Sequence, residues 1–503
     1  RYMSRNLGQL INLDVCADRV MLIDCRVPDA PVEWTGRDIE QQSDAIARGL
    51  LKRGLCRGDR VAILASNRAE YLTAYYGTMR AGLVSVPVNH KLAADTVEYV
   101  LRDSGAKLAF VDNERALLVP RDIPQVSFDD TVGFTAIREP GDFDSIAPAD
   151  DEVAMFLYTS GSTGKPKGVP LTHFGHRWVI DKRVQAGVDY ATERLLVAAP
   201  LYHMNALAIA KFAAFAGARI VLLPQFSAAT YIAAIARYRC TWLTSVPTMM
   251  ALVAQQKELL AQTDLTTVRS IRMGSAPVTM GLVNELREIF STAAIQLGYG
   301  TTESGPVAFV PHPDRKPTPD LALGVAHPDV DMRLVDGDNL NAEQGVLAVK
   351  CPAVTPGYHN LPEKTASVMS ADGYYNTGDI MRRDSDGFYT FVGRDDDMFV
   401  CNGENVFPEE VERIIESHPG VAQACVVPVE DAVRGQMPVA FVVPSGNPVP
   451  TIDDVKQHTI ANGPAYQHPR HVFFADILPL AGTNKVDRKQ LAESAASRVA
   501  TNA

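Results

Sequence analysis

The sequence contains no Cys-x-x-Cys pair, and its seven cysteines (Cys16, Cys25, Cys56, Cys240, Cys351, Cys401, Cys425) are scattered and odd in number. That excludes a disulfide framework and a zinc ribbon, and it reads as free thiols in a reducing compartment. The close histidine pairs, His173/His176 and His468/His471, have no Cys or acidic cluster at ligand spacing beside them, which argues against a structural metal. No signal-peptide core follows Met3, which reads as the native start behind Arg1-Tyr2. The most apolar long run, Ala206 to Pro224, is interrupted by Lys211 and Arg219, so no membrane span is expected. At helical spacing Lys211 is expected to face solvent. The terminal Thr501-Asn502-Ala503 is no peroxisomal address, leaving the cytoplasm as the expected compartment. Internal repeats and low-complexity tracts are also lacking. With 48 basic against 59 acidic residues the net charge is −11, which argues against nucleic acid or an anionic membrane as the main partner. A local basic pocket for a phosphorylated ligand remains compatible with it.

What is present is a chain of 503 residues, 46% hydrophobic and 21% charged, about three domains' worth at ~150 residues each. Helical periodicity over 37–54 and about 69–81 alternates with strand patterns at Val61–Leu64, Val84–Val88 and Lys107–Val111. Such alternation predicts a parallel sheet with helices on its faces. An acidic stretch, Gly141 to Glu152, precedes a strand at Val153–Tyr158, and the alternation resumes from about 195 to 300. Beyond about 320, Asp-Gly turns (Asp336-Gly337, Asp372-Gly373, Asp386-Gly387) suggest hairpins. Near the end come a helix at 408–417 opened by Pro408, strands at 421–430 and 438–444, a helix at 452–460, a strand near 471–475 and a closing helix from about 486. The expected fold is mixed α/β and α+β, with a large N-terminal domain (1–394) of packed βα subdomains and a small, mobile C-terminal α+β domain (395–503).

The strongest local signal is Thr159-Ser160-Gly161-Ser162-Thr163-Gly164-Lys165-Pro166-Lys167-Gly168, directly after the apolar strand. Glycine freedom, four hydroxyls, backbone N–H groups and two lysines are the chemistry a polyphosphate cradle needs. It is not a Walker A loop, because two residues rather than four separate Gly161 from Gly164-Lys165, and it is not a Gly-x-Ser-x-Gly elbow. On composition alone a polar surface loop reads the same way. Gly298-Tyr299-Gly300-Thr301-Thr302-Glu303 offers an aromatic face, a hydroxyl donor and a hard oxygen ligand for Mg²⁺. Tyr375-Asn376-Thr377-Gly378-Asp379 offers a carboxylate for ribose hydroxyls. Each of these two, alone, is equally a packed turn.

Taken in order with Pro200-Leu201-Tyr202-His203, Gly274-Ser275-Ala276-Pro277, Gly393-Arg394-Asp395-Asp396-Asp397 and Asn484-Lys485-Val486-Asp487-Arg488, these motifs resemble the adenylate-forming superfamily of acyl-CoA synthetases, adenylation domains and luciferases. The resemblance spans essentially the whole chain, and the Gly393–Glu412 block looks most like acyl- and aryl-CoA ligases, halobenzoate ligases included. It implies a two-step reaction: a carboxylate and ATP give acyl-AMP and pyrophosphate, then the CoA thiol displaces AMP. It implies that Lys485 bridges the acyl carboxylate and the α-phosphate, that Thr302 meets the α-phosphate, and that Glu303 holds Mg²⁺. By the same resemblance Thr159 to Lys167 hold the β/γ-phosphates. Gly274, Ser275, Ala276, Pro277 and Tyr299 frame the adenine, Gly300 and Thr301 belong to the ATP/AMP site, and Asp379 and Arg394 hold the ribose. Asp396 maps to the family's hinge and His203 to its gate. The acyl pocket maps near His203, Met204, Asn205, Gly274, Gly300 and Val307, compatible with an aromatic or medium-chain acid. Lys91, Tyr466, His468 and Arg470 map to CoA contacts, although Tyr466-Gln467-His468 lacks the lysine common after that tyrosine. Two rival readings stand beside it: loading of a carrier protein in trans, and a non-catalytic nucleotide-binding homologue. Oligomeric state is open, a homodimer included.

Overall fold

Short apolar strands separated by amphipathic helices occupy the first 300 residues, and they assemble as that alternation requires. The structure, a computed structural model, describes residues 5–159, 165–185, 187–446, 448–481 and 485–502. One six-stranded sheet runs, edge to edge, through Gln125–Ser127, Ala106–Val111, Arg60–Leu64, Val84–Pro87, Val153–Thr159 and Lys167–Thr172. It is parallel until its last pair, an antiparallel hairpin. A seven-stranded sheet runs through Ala294–Leu297, Ser270–Met273, Trp242–Ser245, Arg194–Val197, Arg219–Leu222, Val20–Asp24 and Val32–Thr35. The last two of these strands carry no clear sequence signal. Val20–Asp24 gains its place by parallel pairing with Arg219–Leu222, a contact almost 200 residues away in the chain.

Helices join these sheets into one large apolar core. The Gly36–Lys52 helix opens with a reciprocal Thr35/Asp38 capping box and buries Ile39, Ile46 and Leu50. It packs on Ala69–Arg80, in which only Glu70 is not buried. Arg80 is fully buried and satisfied there: it donates to the carboxylates of Glu40 and Asp44 and, at 2.6 Å, to the Gly8 carbonyl.

The apolar run read above becomes a helix, Met204–Ala216, and the strand Arg219–Leu222. No described helix is long and apolar enough to cross a membrane. The helix is walled in on all sides, so it has no solvent face to offer. Lys211, expected to point to water, is only 2% exposed. His173 and His176 are also buried, and His173 Nδ1 accepts from the Leu7 amide at 3.0 Å. Among the described residues no group of three or more His, Cys, Asp or Glu side chains is placed to hold a metal.

The hairpins expected beyond 320 form a six-stranded antiparallel sheet from Phe309–Val310 to Phe388–Arg394. Sheet membership then changes: Phe399–Cys401 belongs to a separate sheet with Glu404–Val406, Val421–Asp431, Gly435–Pro444 and His471–Phe474. The Pro408–Glu416 helix covers this sheet with Val411 and Ile415, and Arg488–Asn502 closes the chain.

Candidate active site

The Val153–Thr159/Lys167–Thr172 hairpin pairs Thr159 with Lys167 across the mouth of the phosphate loop. The tip, Ser160, Gly161, Ser162, Thr163 and Gly164, lies outside the described residues. The Thr159 hydroxyl is buried without a hydrogen-bond partner among the described residues, a cost that a bound phosphate oxygen would remove. Lys167 projects over the Tyr358 ring, 5.2 Å from its centroid. Burial holds its ammonium below the usual lysine range, and the nearest opposing influence is Glu303. Glu303 is 8% exposed, accepts from the Tyr358 hydroxyl at 3.0 Å and has no ion-pair partner among the described residues. A buried carboxylate without a counter-ion, beside a phosphate loop, suits Mg²⁺, which typically takes one or two carboxylates plus substrate phosphates.

Opposite this hairpin, two strand ends carry the nucleotide motifs. Ser270–Met273 runs into Gly274-Ser275-Ala276-Pro277, and Ala294–Leu297 runs into Gly298–Glu303. Ser275 adopts φ +70°, a left-handed conformation costing about 1–3 kcal/mol for a non-glycine residue, and such strain concentrates at ligand-clamping turns. Gly300 must lack a side chain, because a Cβ there would stand 2.8 Å from Pro306 Cα. The Thr301 hydroxyl is tied to Ser304 at 2.8 Å, whereas the Thr302 side chain has no hydrogen bond among the described residues. Tyr299 donates its hydroxyl to Asp379 Oδ2 at 2.6 Å, and Arg394 Nη1 donates to Asp379 Oδ1 at 2.8 Å. A carboxylate offers about four acceptor sites, so Asp379 keeps capacity for ribose hydroxyls. Arg394 also donates through Nε to Asp396 Oδ1 at 3.1 Å. Burial opposes its charge, but Asp379 and Asp396 outweigh that and keep it cationic.

Lys485 approaches from the C-terminal region. Its carbonyl accepts from the Ala481 amide at 2.7 Å, within the turn preceding the last helix, and Asn484 lies outside the described residues. The ammonium sits in a cleft that is open to solvent but deep: burial pushes its pKa down, while Asp379 pulls it up and Arg394 pushes it down. Those partners belong to the antiparallel sheet, so the C-terminal lysine stands over the nucleotide residues. His203 caps the Met204–Ala216 helix, its ring 4.6 Å from that of Tyr202. Burial, with smaller contributions from Lys485 and Lys91, lowers its pKa to about 4, so at pH 7 it is a neutral imidazole near two ammonium groups.

Residues 12–359 match the family model described as AMP-binding enzyme, and residues 410–485 match that of the AMP-binding enzyme C-terminal domain. The chain belongs to the AMP-binding enzyme family. A feruloyl-CoA synthase of Amycolatopsis sp is 32% identical over 464 residues, covering 90% of this chain and 92% of that one. A fatty acid–[acyl-carrier-protein] ligase of Streptomyces coeruleorubidus is 32% identical over 476 residues, covering 91% of each. Among solved structures, an anthranilate CoA ligase in complex with anthranoyl-AMP superposes with a TM-score of 0.90 at 25% identity and covers 99% of both chains.

The motifs lie far apart in sequence and several of them meet in one cleft, but not every mapped residue reaches it. Met204 and Asn205 form the first turn of the helix behind His203. Val307 is buried against Val179 and Ala353 in a small satellite core. Lys91 is exposed yet close enough to lower the pKa of His203. Tyr466, His468 and Arg470 keep to their own end of the molecule: Arg470 donates to the His468 carbonyl at 2.6 Å, and Tyr466 feels Glu404 and Glu410. None of the three has a hydrogen bond or ring contact to residues before 399 among the described residues. Two residues that shape the site escaped sequence reasoning, Tyr358 on Glu303 and Thr377, whose hydroxyl accepts from the Asp379 amide at 3.1 Å. Thr377 lay inside a recognised motif; nothing local marks Tyr358.

Proposed function

We propose that this chain is an ATP-dependent acid–CoA ligase acting on an aromatic or medium-chain carboxylic acid. The observation that carries the reading is that Lys485, from the C-terminal region, stands with Asp379, Arg394 and neutral His203 in a single cleft. In the first half-reaction a substrate carboxylate oxygen attacks the α-phosphorus of ATP, and the bond to pyrophosphate breaks. Lys485, a compact cation, neutralises charge on both the entering carboxylate and the α-phosphate oxygens, and Thr302 donates to the latter. Asp379 and Arg394 hold the ribose. Thr159 and Lys167 hold the outgoing phosphates. Glu303 would hold Mg²⁺, which neutralises polyphosphate charge so that an anionic nucleophile can approach. Being neutral, His203 adds no positive charge at the acyl entrance and can swing aside for the thiol. In the second half-reaction the CoA sulfur attacks the acyl carbonyl and AMP leaves. Tyr466, His468 and Arg470 meet CoA only after the C-terminal domain (395–503) turns about Asp396, which accounts for their distance from His203. A cytoplasmic location fits this use of ATP and CoA.

The test is pyrophosphate release over a panel of acids with and without CoA, followed by product mass. Acid-dependent release with an acyl-CoA product is expected. A response only to acetate or amino acids would overturn the acid class. The resemblance to the acyl-carrier-protein ligase supports a second reading, transfer to a carrier protein in trans. Thioester formation on a carrier protein but not on CoA would select it.

A further inference from the structure

The His173–Arg183 and Met204–Ala216 helices enclose three cations that no carboxylate answers. Arg183 ends the first helix with its guanidinium 5.3 Å from the Phe212 ring centroid. Lys211 Nζ lies 3.2 Å from the Tyr75 hydroxyl, which itself donates to Met155 Sδ at 2.9 Å. Arg272 extends from the strand that leads into Gly274 and crosses beneath Gly298, where a Cβ would meet its Nε at 3.0 Å. A glycine at 298 therefore makes room for this guanidinium directly before Tyr299. Burial lowers the pKa of all three, that of Lys211 to about 7 and that of Arg183 to about 9. Part of each shift comes from the neighbouring cation: Arg183 acts on Lys211, and Arg272 acts on Arg183.

Among the described residues none of the three has a salt bridge, and the residues outside the description include no Asp or Glu. The two fully buried arginines among the described residues are paired: Arg80 has Glu40 and Asp44, and Arg68 has Glu70 and Asp129. An uncompensated cation out of water is unfavourable, so a cluster of them points to an anion supplied from outside. Arg183 and Arg272 are half-buried, so each keeps side-chain surface that a ligand can reach. The group borders the residues mapped to the acyl pocket. Lys211 lies eight residues beyond His203 on the same helix, about 12 Å along its axis, and Arg272 flanks Gly274.

We propose that the acid adenylated here carries a second, distal carboxylate, and that Arg183 and Arg272 are the specificity-determining residues that bind it, with Lys211 behind them as a positioning residue. The guanidinium fork suits a carboxylate in two-point contact, and a dry pocket sharpens discrimination against acids lacking it. The inference deepens the ligase reading and rests on it.

Matched acid pairs test the two separately: terephthalate against benzoate, 3-(4-carboxyphenyl)propanoate against 3-phenylpropanoate, and suberate against octanoate. Pyrophosphate release should favour at least one diacid by tenfold or more in kcat/KM. Arg272→Gln and Arg183→Gln, checked for an unchanged melting profile, should each collapse that diacid-to-monoacid ratio at least tenfold, chiefly through KM. Arg272→Lys should restore part of it. Preference for the monoacid throughout, or an unchanged ratio in both glutamine variants, would overturn the pocket while leaving the ligase intact. Release with none of the six would count against the ligase reading; calorimetry with the three diacids alone then decides the pocket. Binding of a diacid to the wild type that Arg272→Gln abolishes supports it, and no binding of any of them to the wild type overturns it.

Discussion

Two regions bury ionised side chains, and they resolve the cost in opposite ways. In the C-terminal domain Glu409 and Glu412 gather beneath Arg488, which donates to both Glu412 oxygens, and Glu416 is held by the Ala424 amide at 2.9 Å. That cluster is closed in charge, with cation, carboxylates and backbone donors all from one domain, although Glu409 Oε2 has no hydrogen bond among the described residues. Arg183, Lys211 and Arg272 form an open set, cations of one sign with no carboxylate partner among the described residues; Lys211 meets the Tyr75 hydroxyl and Met155 Sδ, and Arg183 the Phe212 ring. Closed clusters hold a fold together. Open ones are completed by a ligand, because a buried charge without a partner is costly in every state that lacks it.

The sharpest way to break the contrast is on the closed side. Arg488→Met leaves Glu412 buried and unpaired, and should cost about 3–5 kcal/mol, read as a lowered melting temperature or loss of folded C-terminal domain. Next is Lys485, the cation the C-terminal region sends into the other's territory. Lys485→Ala should lower acid-dependent pyrophosphate release by about 10²–10³, while thioester formation from supplied acyl-AMP persists. Asp396→Pro should show the reverse pattern by fixing φ at the hinge, and equal loss of both half-reactions in both variants would sink the alternation.

A smaller effect should appear on the open side. Lys211 titrates near 7 in the folded chain against about 10.4 unfolded, so the unfolded state holds more protons between those values and stability rises with pH across that window. Lys211→Met should therefore stabilise the protein at pH 6, by about 1–3 kcal/mol, with the gain fading as pH climbs from 7 towards 10. Glu416 has the opposite sign: burial raises it to about 8, the folded state holds the extra proton from about 4.3 upward, and stability falls with pH until about 8. Glu416→Gln should be near neutral at pH 5 and modestly stabilising at pH 8. Parallel pH slopes in the two variants would erase the distinction between the regions.

The elements and the nucleotide motifs were legible because their signals are local: apolar period, Asp-Gly turns, Pro408 at a helix start, and glycine-bearing loops after strands. The Gly36–Lys52 and Pro408–Glu416 helices fall within two residues of their expected bounds. Lys211 was misread because helical spacing assigns a lysine to the polar face, and a helix buried all round has none. The Arg183–Lys211–Arg272 group was invisible for a different reason. Its members sit on two helices and a strand with no shared motif, and a terminal arginine such as Arg183 is ordinary at a helix C-terminus. Only the strand order that sets Ser270–Met273 beside Ala294–Leu297 gives Arg272 its path under Gly298. Tyr358 likewise reaches Glu303 through tertiary packing.

Arg394 holds Asp379 with one arm of its guanidinium and Asp396 with another. In the proposed reading the same side chain is both a wall of the nucleotide site and a strut across the pivot. Turning the domain must either break the strut or drag the wall, so grip on the nucleotide and freedom to rotate are traded against each other. If the domain turns about Asp396 as proposed, loosening of the Arg394–Asp396 hydrogen bond would be the event that couples that turn to the Asp379 side of the cleft.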